Sequence, residues 1–96
     1  MTFSADLLDA AKASQGIASD YALAALLGVP RGTVSNYRRG TNFPENSIAW
    51  SLAELAKTDP ISAVIGCNLD RAKSPEDQRI WRAVGEKLAA CNRAHG

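Results

Sequence analysis

Residues 20–40 read Asp-Tyr-Ala-Leu-Ala-Ala-Leu-Leu-Gly-Val-Pro-Arg-Gly-Thr-Val-Ser-Asn-Tyr-Arg-Arg-Gly, and the reading of this stretch decides the fold. Two helix-sized segments flank a three-residue break, Gly28-Val29-Pro30. Ser19 is a good N-cap for the first segment, and Asp20 follows in the first turn, where the helix dipole favours an acid. Leu23, Ala24, Leu26 and Leu27 are expected on its buried side, and Gly28 ends it. Proline is tolerated at the entry to a second helix because the first turn makes no intrahelical use of its N–H. That helix is predicted over residues 31–39, with Gly40 closing it.

Each special residue in the stretch has a physical task. Ala24 is small because the two helices cross close to it. Gly28 lies where the chain needs a positive φ that glycine alone adopts cheaply. Val29 and Val34 plug the angle between the helices, and Tyr37 packs beneath the second one. The second helix then presents Arg31, Gly32, Thr33, Ser35, Asn36, Arg38 and Arg39 outward. A short helix with polar, base-competent side chains near its N-terminus is the element that enters a DNA major groove.

Outward from this pair, helical signals continue and no segment alternates with period 2, so no strand is predicted. The first helix is expected over residues 4–15, with Leu7, Leu8 and Ala11 inward and Gly16 as its end. Residues 41–44 form a loop. A fourth helix over residues 45–57 carries Ile48, Leu52, Leu55 and Ala56 on one face. Asp59-Pro60 opens a fifth helix, residues 61–72, with Ile61, Val64, Ile65 and Leu69 apolar. Ser74-Pro75-Glu76-Asp77 is the clearest helix start in the chain, and a sixth helix follows to about residue 93. It aligns Ile80, Trp81, Val84, Leu88 and Cys91, and Gly85 in its middle marks either close packing or a weak point.

Composition bounds the rest. Ninety-six residues with 46% apolar content suit one domain with a core. The longest apolar run, residues 21–29, is far short of a membrane span, and the first six residues lack the features of a signal peptide. A cytoplasmic protein without membrane contact is expected. The net charge of +1 decides nothing. Its distribution says more: residues 1–30 hold Lys12 against Asp6, Asp9 and Asp20, whereas residues 31–44 hold three arginines and no acid. A local basic patch is what meeting phosphates requires, although a merely solvated face has the same composition. Cys67 and Cys91, with His95 the single histidine at the tail end, are too few for a four-ligand zinc site. Buried free thiols are expected, with a disulfide as the alternative that a cytoplasmic setting disfavours. His95 reads as incidental, and Trp50 and Trp81 as packing or interface residues.

Residues 20–40 resemble the helix-turn-helix of the phage-repressor and Cro superfamily, the Xre-type transcriptional regulators. The resemblance extends through Ala56, thins toward Ala72 and does not reach the sixth helix. More narrowly, the chain is similar to small regulators encoded by bacteriophages and prophages. The fold this implies is all-α, a lambda-repressor-like bundle of five to six helices. Residues 1–73 would form the DNA-binding domain, and residues 74–96 a C-terminal helix packed on it.

The resemblance also implies roles. Arg31, Gly32, Ser35 and Asn36 would face base edges, arginine suiting guanine and asparagine suiting adenine. For Asn36 a solvated helix position remains the other reading. Thr33, Arg38 or Arg39, and the loop residues Thr41 and Asn42 would meet phosphates. Two departures stand out. Pro30 occupies the place of a capping Ser or Thr, and Asp20 that of a Gln. An acid facing phosphate is unfavourable, so Asp20 reads as a helix-start residue, with backbone N–H groups making that contact.

The function expected is sequence-specific binding of a double-stranded DNA operator as a homodimer, repressing transcription. Ile80, Trp81, Val84 and Leu88 are the dimer candidates, and folding back onto the domain competes for them. A protein-interaction module of antitoxin or anti-repressor type, on the same fold, is the alternative, and an antagonist protein is a candidate partner. No catalytic pair, phosphate loop, metal site or cofactor site is expected.

Overall fold

The computed structural model describes the backbone of residues 2–95 and the side chains of residues 2–91. It is all-helical: α1 (Phe3–Gln15), α2 (Asp20–Leu27), α3 (Arg31–Arg39), α4 (Asn46–Ala56), α5 (Pro60–Arg71) and α6 (Pro75–His95). The expected boundaries hold to within one or two residues. The reading of His95 lies outside the described side chains.

The helix starts follow the capping chemistry of the sequence. Thr2 accepts from the Ala5 N–H, Ser19 from Ala22 (both 3.0 Å) and Asp59 from Ile61 (3.1 Å). Ser74 caps α6 through the Asp77 N–H at 3.0 Å. Pro30 begins α3 with no side-chain bond, as its chemistry dictates. The ends of α1, α2, α3 and α4 share one left-handed geometry. At Gly28, φ is 72°, its N–H reaches the Ala25 carbonyl, and the Val29 N–H reaches back to Ala24. At the end of α4 the same conformation is forced on Lys57, φ 60°, the one non-glycine residue in that region among the described residues.

The core gathers one stripe from each of five helices: Leu7, Leu8 and Ala11; Leu23 and Ala24; Val34 and Tyr37; Ala49, Leu52 and Ala53; Ala63 and Cys67. Helix α1 is the hub, packing on α2, α3, α4 and α5. Burial of Leu8, Leu23 and Leu52 is complete, and each such leucine truncated to alanine costs about 2–5 kcal/mol. A polar latch ties the chain's two halves. Asp70 near the end of α5 accepts from the Ser4 N–H (2.7 Å), the Ser4 hydroxyl (2.6 Å) and the Phe3 N–H (3.3 Å). It thereby satisfies donors in the first turn of α1 that the helix itself leaves open.

Three expectations change. Leu26 is 54% exposed and Ile61 is also exposed, because each helix buries a narrower stripe than its run of apolar residues suggests. Cys67 is a buried free thiol as expected, but Cys91 is free and exposed on the outer flank of α6. Among the described residues, helix α6 packs on α5 and on no other helix. Gly85 sits at that contact, where a methyl group in place of its hydrogen would stand 3.5 Å from Ile65, an ordinary van der Waals distance. Of the two readings of Gly85, enforced close packing is therefore the one the structure disfavours.

Candidate nucleic-acid interface

The α2–α3 pair is built as its sequence demands. Ala24 is buried at the crossing, Val34 and Tyr37 are buried beneath α3, and Val29 packs against the same core. Burial pushes the Tyr37 phenol upward from its ordinary range, so it stays neutral beneath the helix. At 100° per residue, Arg31, Gly32, Ser35, Asn36 and Arg39 share about 140° of arc on the side opposite Val34 and Tyr37. Arg31, Gly32 and Arg39 are exposed, and Ser35 and Asn36 are half-buried. All four residues assigned to base edges therefore lie on one accessible face.

The phosphate set divides. Arg39 is exposed and donates to the Asn36 side-chain oxygen, which it steadies. Thr41 and Asn42 are exposed just beyond the helix end, with the Thr41 hydroxyl 3.4 Å from the Asn36 carbonyl. Thr33 is half-buried and lies outside the outward arc, about 60° beyond Asn36 toward the buried Tyr37. Arg38 departs from expectation. Its Nε and one terminal nitrogen lie 3.0 Å from the two carboxylate oxygens of Asp20. Its other terminal nitrogen lies 2.8 Å from Asp9 and 3.4 Å from the Ala5 carbonyl. Its donors are thus engaged within the fold, joining α3 to α1 and α2 rather than reaching outward. A basic residue at the edge of an amphipathic helix reads as surface until the acids from other helices are placed beside it.

Asp20 is the centre of this cluster, since Lys12 also reaches it at 3.1 Å. The Arg38 guanidinium, together with Lys12, holds its carboxyl below the ordinary range, and Asp20 in turn holds the Arg38 guanidinium more firmly protonated. The acid that stands in an unexpected place at the head of α2 is therefore neutralised from within. Arg31 and Arg39 have no carboxylate partner among the described residues.

One contributor is hidden in the sequence. Tyr21 stands there within an apolar run, yet it is 64% exposed, and the Arg31 guanidinium lies over its ring at 5.4 Å from the centroid. A cleft of about 420 Å³ opens beside this pair, lined by both residues, by Gly32, Ser35 and Arg39, and by the mutually paired Asp20 and Arg38. One local signal points to it: a tyrosine right after the first residue of α2 stands across the turn from the first residue of α3.

No family model, curated protein or solved structure matches this chain. The site is therefore read from its own chemistry.

The dimer candidates also divide. Trp81 and Leu88 are half-buried against α5, beside Asn68 and Arg71 and beside Ile65 respectively. Ile80 and Val84 are exposed on the outer flank. A second apolar surface lies on α4 and α5, where Trp50 and Ile61 are exposed beside Val64 and Ile65. Among the described residues, no helix is long and apolar enough to cross a membrane, and no group of three or more metal-binding side chains forms.

Proposed function

We propose that this chain is a sequence-specific double-stranded DNA-binding regulator of the phage-repressor type, a lambda-repressor-like bundle that lays α3 in the major groove. One observation carries the reading: the outer face of α3 offers Arg31, Ser35, Asn36 and Arg39 with no carboxylate among them, while the nearby Asp20 is neutralised by Arg38 and Lys12. Arginine on guanine O6/N7 and asparagine on adenine N6/N7 are the pairings such a face makes. One short helix reads few base pairs, so the operator is symmetric and occupied by two copies, about one helical turn apart. The exposed Ile80 and Val84, on a helix held by a single neighbour, favour α6 as the contact between copies. Bound across a promoter in the cytoplasm, such a dimer represses by exclusion.

Selection of bound sequences from a random duplex pool tests binding, specificity and site symmetry together. The expected result is one palindromic motif, with affinity that falls steeply as salt rises. A second reading, a protein-interaction module of antitoxin or anti-repressor type, is favoured by the exposed Trp50 and Ile61 surface. Absence of any duplex binding at low salt would decide for it.

A further inference from the structure

Tyr21 has no packing task that accounts for it. Among the described residues it is the most exposed of the large apolar and aromatic side chains, yet it stands beside the cleft at the head of α3 rather than on an unrelated surface. The Arg31 guanidinium lies over its ring. The acid lining the cleft, Asp20, is committed to Arg38 and Lys12, and Arg31 has no carboxylate partner among the described residues, which leaves the ring as its observed contact. The distinction matters chemically. A carboxylate partner would occupy the in-plane N–H donors of the guanidinium, which are the groups that read guanine. An aromatic face attracts the cation through its quadrupole and leaves those donors free.

We propose that Tyr21 is a positioning residue for base recognition: its ring holds the Arg31 guanidinium over the cleft, so that the arginine meets a guanine edge already aimed. This rests on the DNA-binding reading above. Holding a long side chain in one orientation removes rotamer entropy that binding would otherwise have to remove. It concentrates the effect at one base pair, the one Arg31 touches.

The test measures duplex binding on the selected operator, and on operators changed at one base pair at a time. The proteins are wild type, Tyr21→Phe, Tyr21→Ala, Tyr21→Leu, Arg31→Ala and the Tyr21→Ala/Arg31→Ala double variant. An exposed cation–aromatic pair predicts about a two- to five-fold loss for Tyr21→Ala on the selected operator. No loss is expected on operators altered at the Arg31 base pair, and Tyr21→Phe keeps wild-type affinity. Tyr21→Leu, which keeps apolar bulk without a π face, behaves as Tyr21→Ala, and the double variant binds as Arg31→Ala does alone. Tyr21→Phe melts as wild type, and every variant that removes the pair, the double variant included, melts lower by only the few degrees that loss of one exposed pair explains. A uniform loss across every operator, additive losses in the double variant, or rescue by leucine would overturn the inference and leave DNA binding intact. A wild-type protein that selects no sequence would overturn the DNA reading itself, and this inference with it.

Discussion

Arg38 on α3 grips both carboxylate oxygens of Asp20 at the head of α2, through two nitrogens each 3.0 Å away. The same guanidinium reaches Asp9 on α1. Three helices thus meet at one side chain, a polar tie added to the apolar seat that Val34 and Tyr37 give α3.

Arg38→Ala is accordingly expected to act on folding. Both partners are partly exposed, so solvent screening discounts the pair, and a loss of about 1 kcal/mol is expected. That corresponds to a fall of about 4–8 °C in Tm for a domain of this size. Arg39→Ala should leave Tm unchanged and instead reduce the slope of log affinity against log salt by about 1. Melting curves and a salt series on the two variants check both halves. A lower salt slope for Arg38→Ala at unchanged Tm would return Arg38 to the phosphate contacts.

Acid should loosen the same junction. The folded Asp20 carboxyl titrates below its ordinary value because Arg38 and Lys12 favour the anion. Its contribution is therefore complete above about pH 4, the unfolded value, and is lost as pH falls through the lower folded value. Urea midpoints measured from pH 6 to pH 2 should decline less steeply below pH 4 in Asp20→Asn than in wild type.

The left-handed residue at the end of α4 is an available gain. Lys57 carries φ 60° where the ends of α1, α2 and α3 use glycine. Lys57→Gly removes the Cβ penalty of that conformation and should stabilise by about 1 kcal/mol, read as a higher urea midpoint at unchanged m-value. Gly28→Ala should cost about as much in the opposite direction.

Gly85→Ala offers a gain of another kind. The added methyl meets Ile65 at ordinary contact distance, so the helix-propensity benefit of about 1 kcal/mol is expected nearly whole. A higher thermal midpoint checks it. A lower one would mean that α6 approaches α5 too tightly in solution to admit the methyl.

Helix α6 should also open first. Among the described residues it buries one flank on α5 and packs on no other helix. Its amides are expected to exchange with solvent well ahead of those of α1 and α4 at low protein concentration. Protection of α6 that rises with concentration would identify it as the contact between copies.

Much of this is legible in the residues themselves. Gly28, Pro30 and Gly40 set the limits of α3, because φ preferences and missing donors are local properties. The caps at Ser19, Asp59 and Ser74 are legible for the same reason. What stays hidden depends on which helix faces which. Arg38 reads as a surface cation because Asp9 and Asp20 approach it only after α1 and α2 have packed. Tyr21 vanishes into an apolar run, since no periodicity distinguishes a buried ring from one supporting an arginine. Leu26, Ile61 and Cys91 lie outside the core because hydrophobicity locates a stripe less sharply than neighbouring helices do.

The mutual cancellation of Lys12, Asp9, Asp20 and Arg38 also bears on how such a protein diversifies. The proposed function would then write framework and address in separate letters. Arg31 and Arg39 lie outside that closed quartet, so exchanging them leaves it intact, and under the proposed DNA-binding reading a lineage drifts from one operator to another without passing through unfolded ancestors.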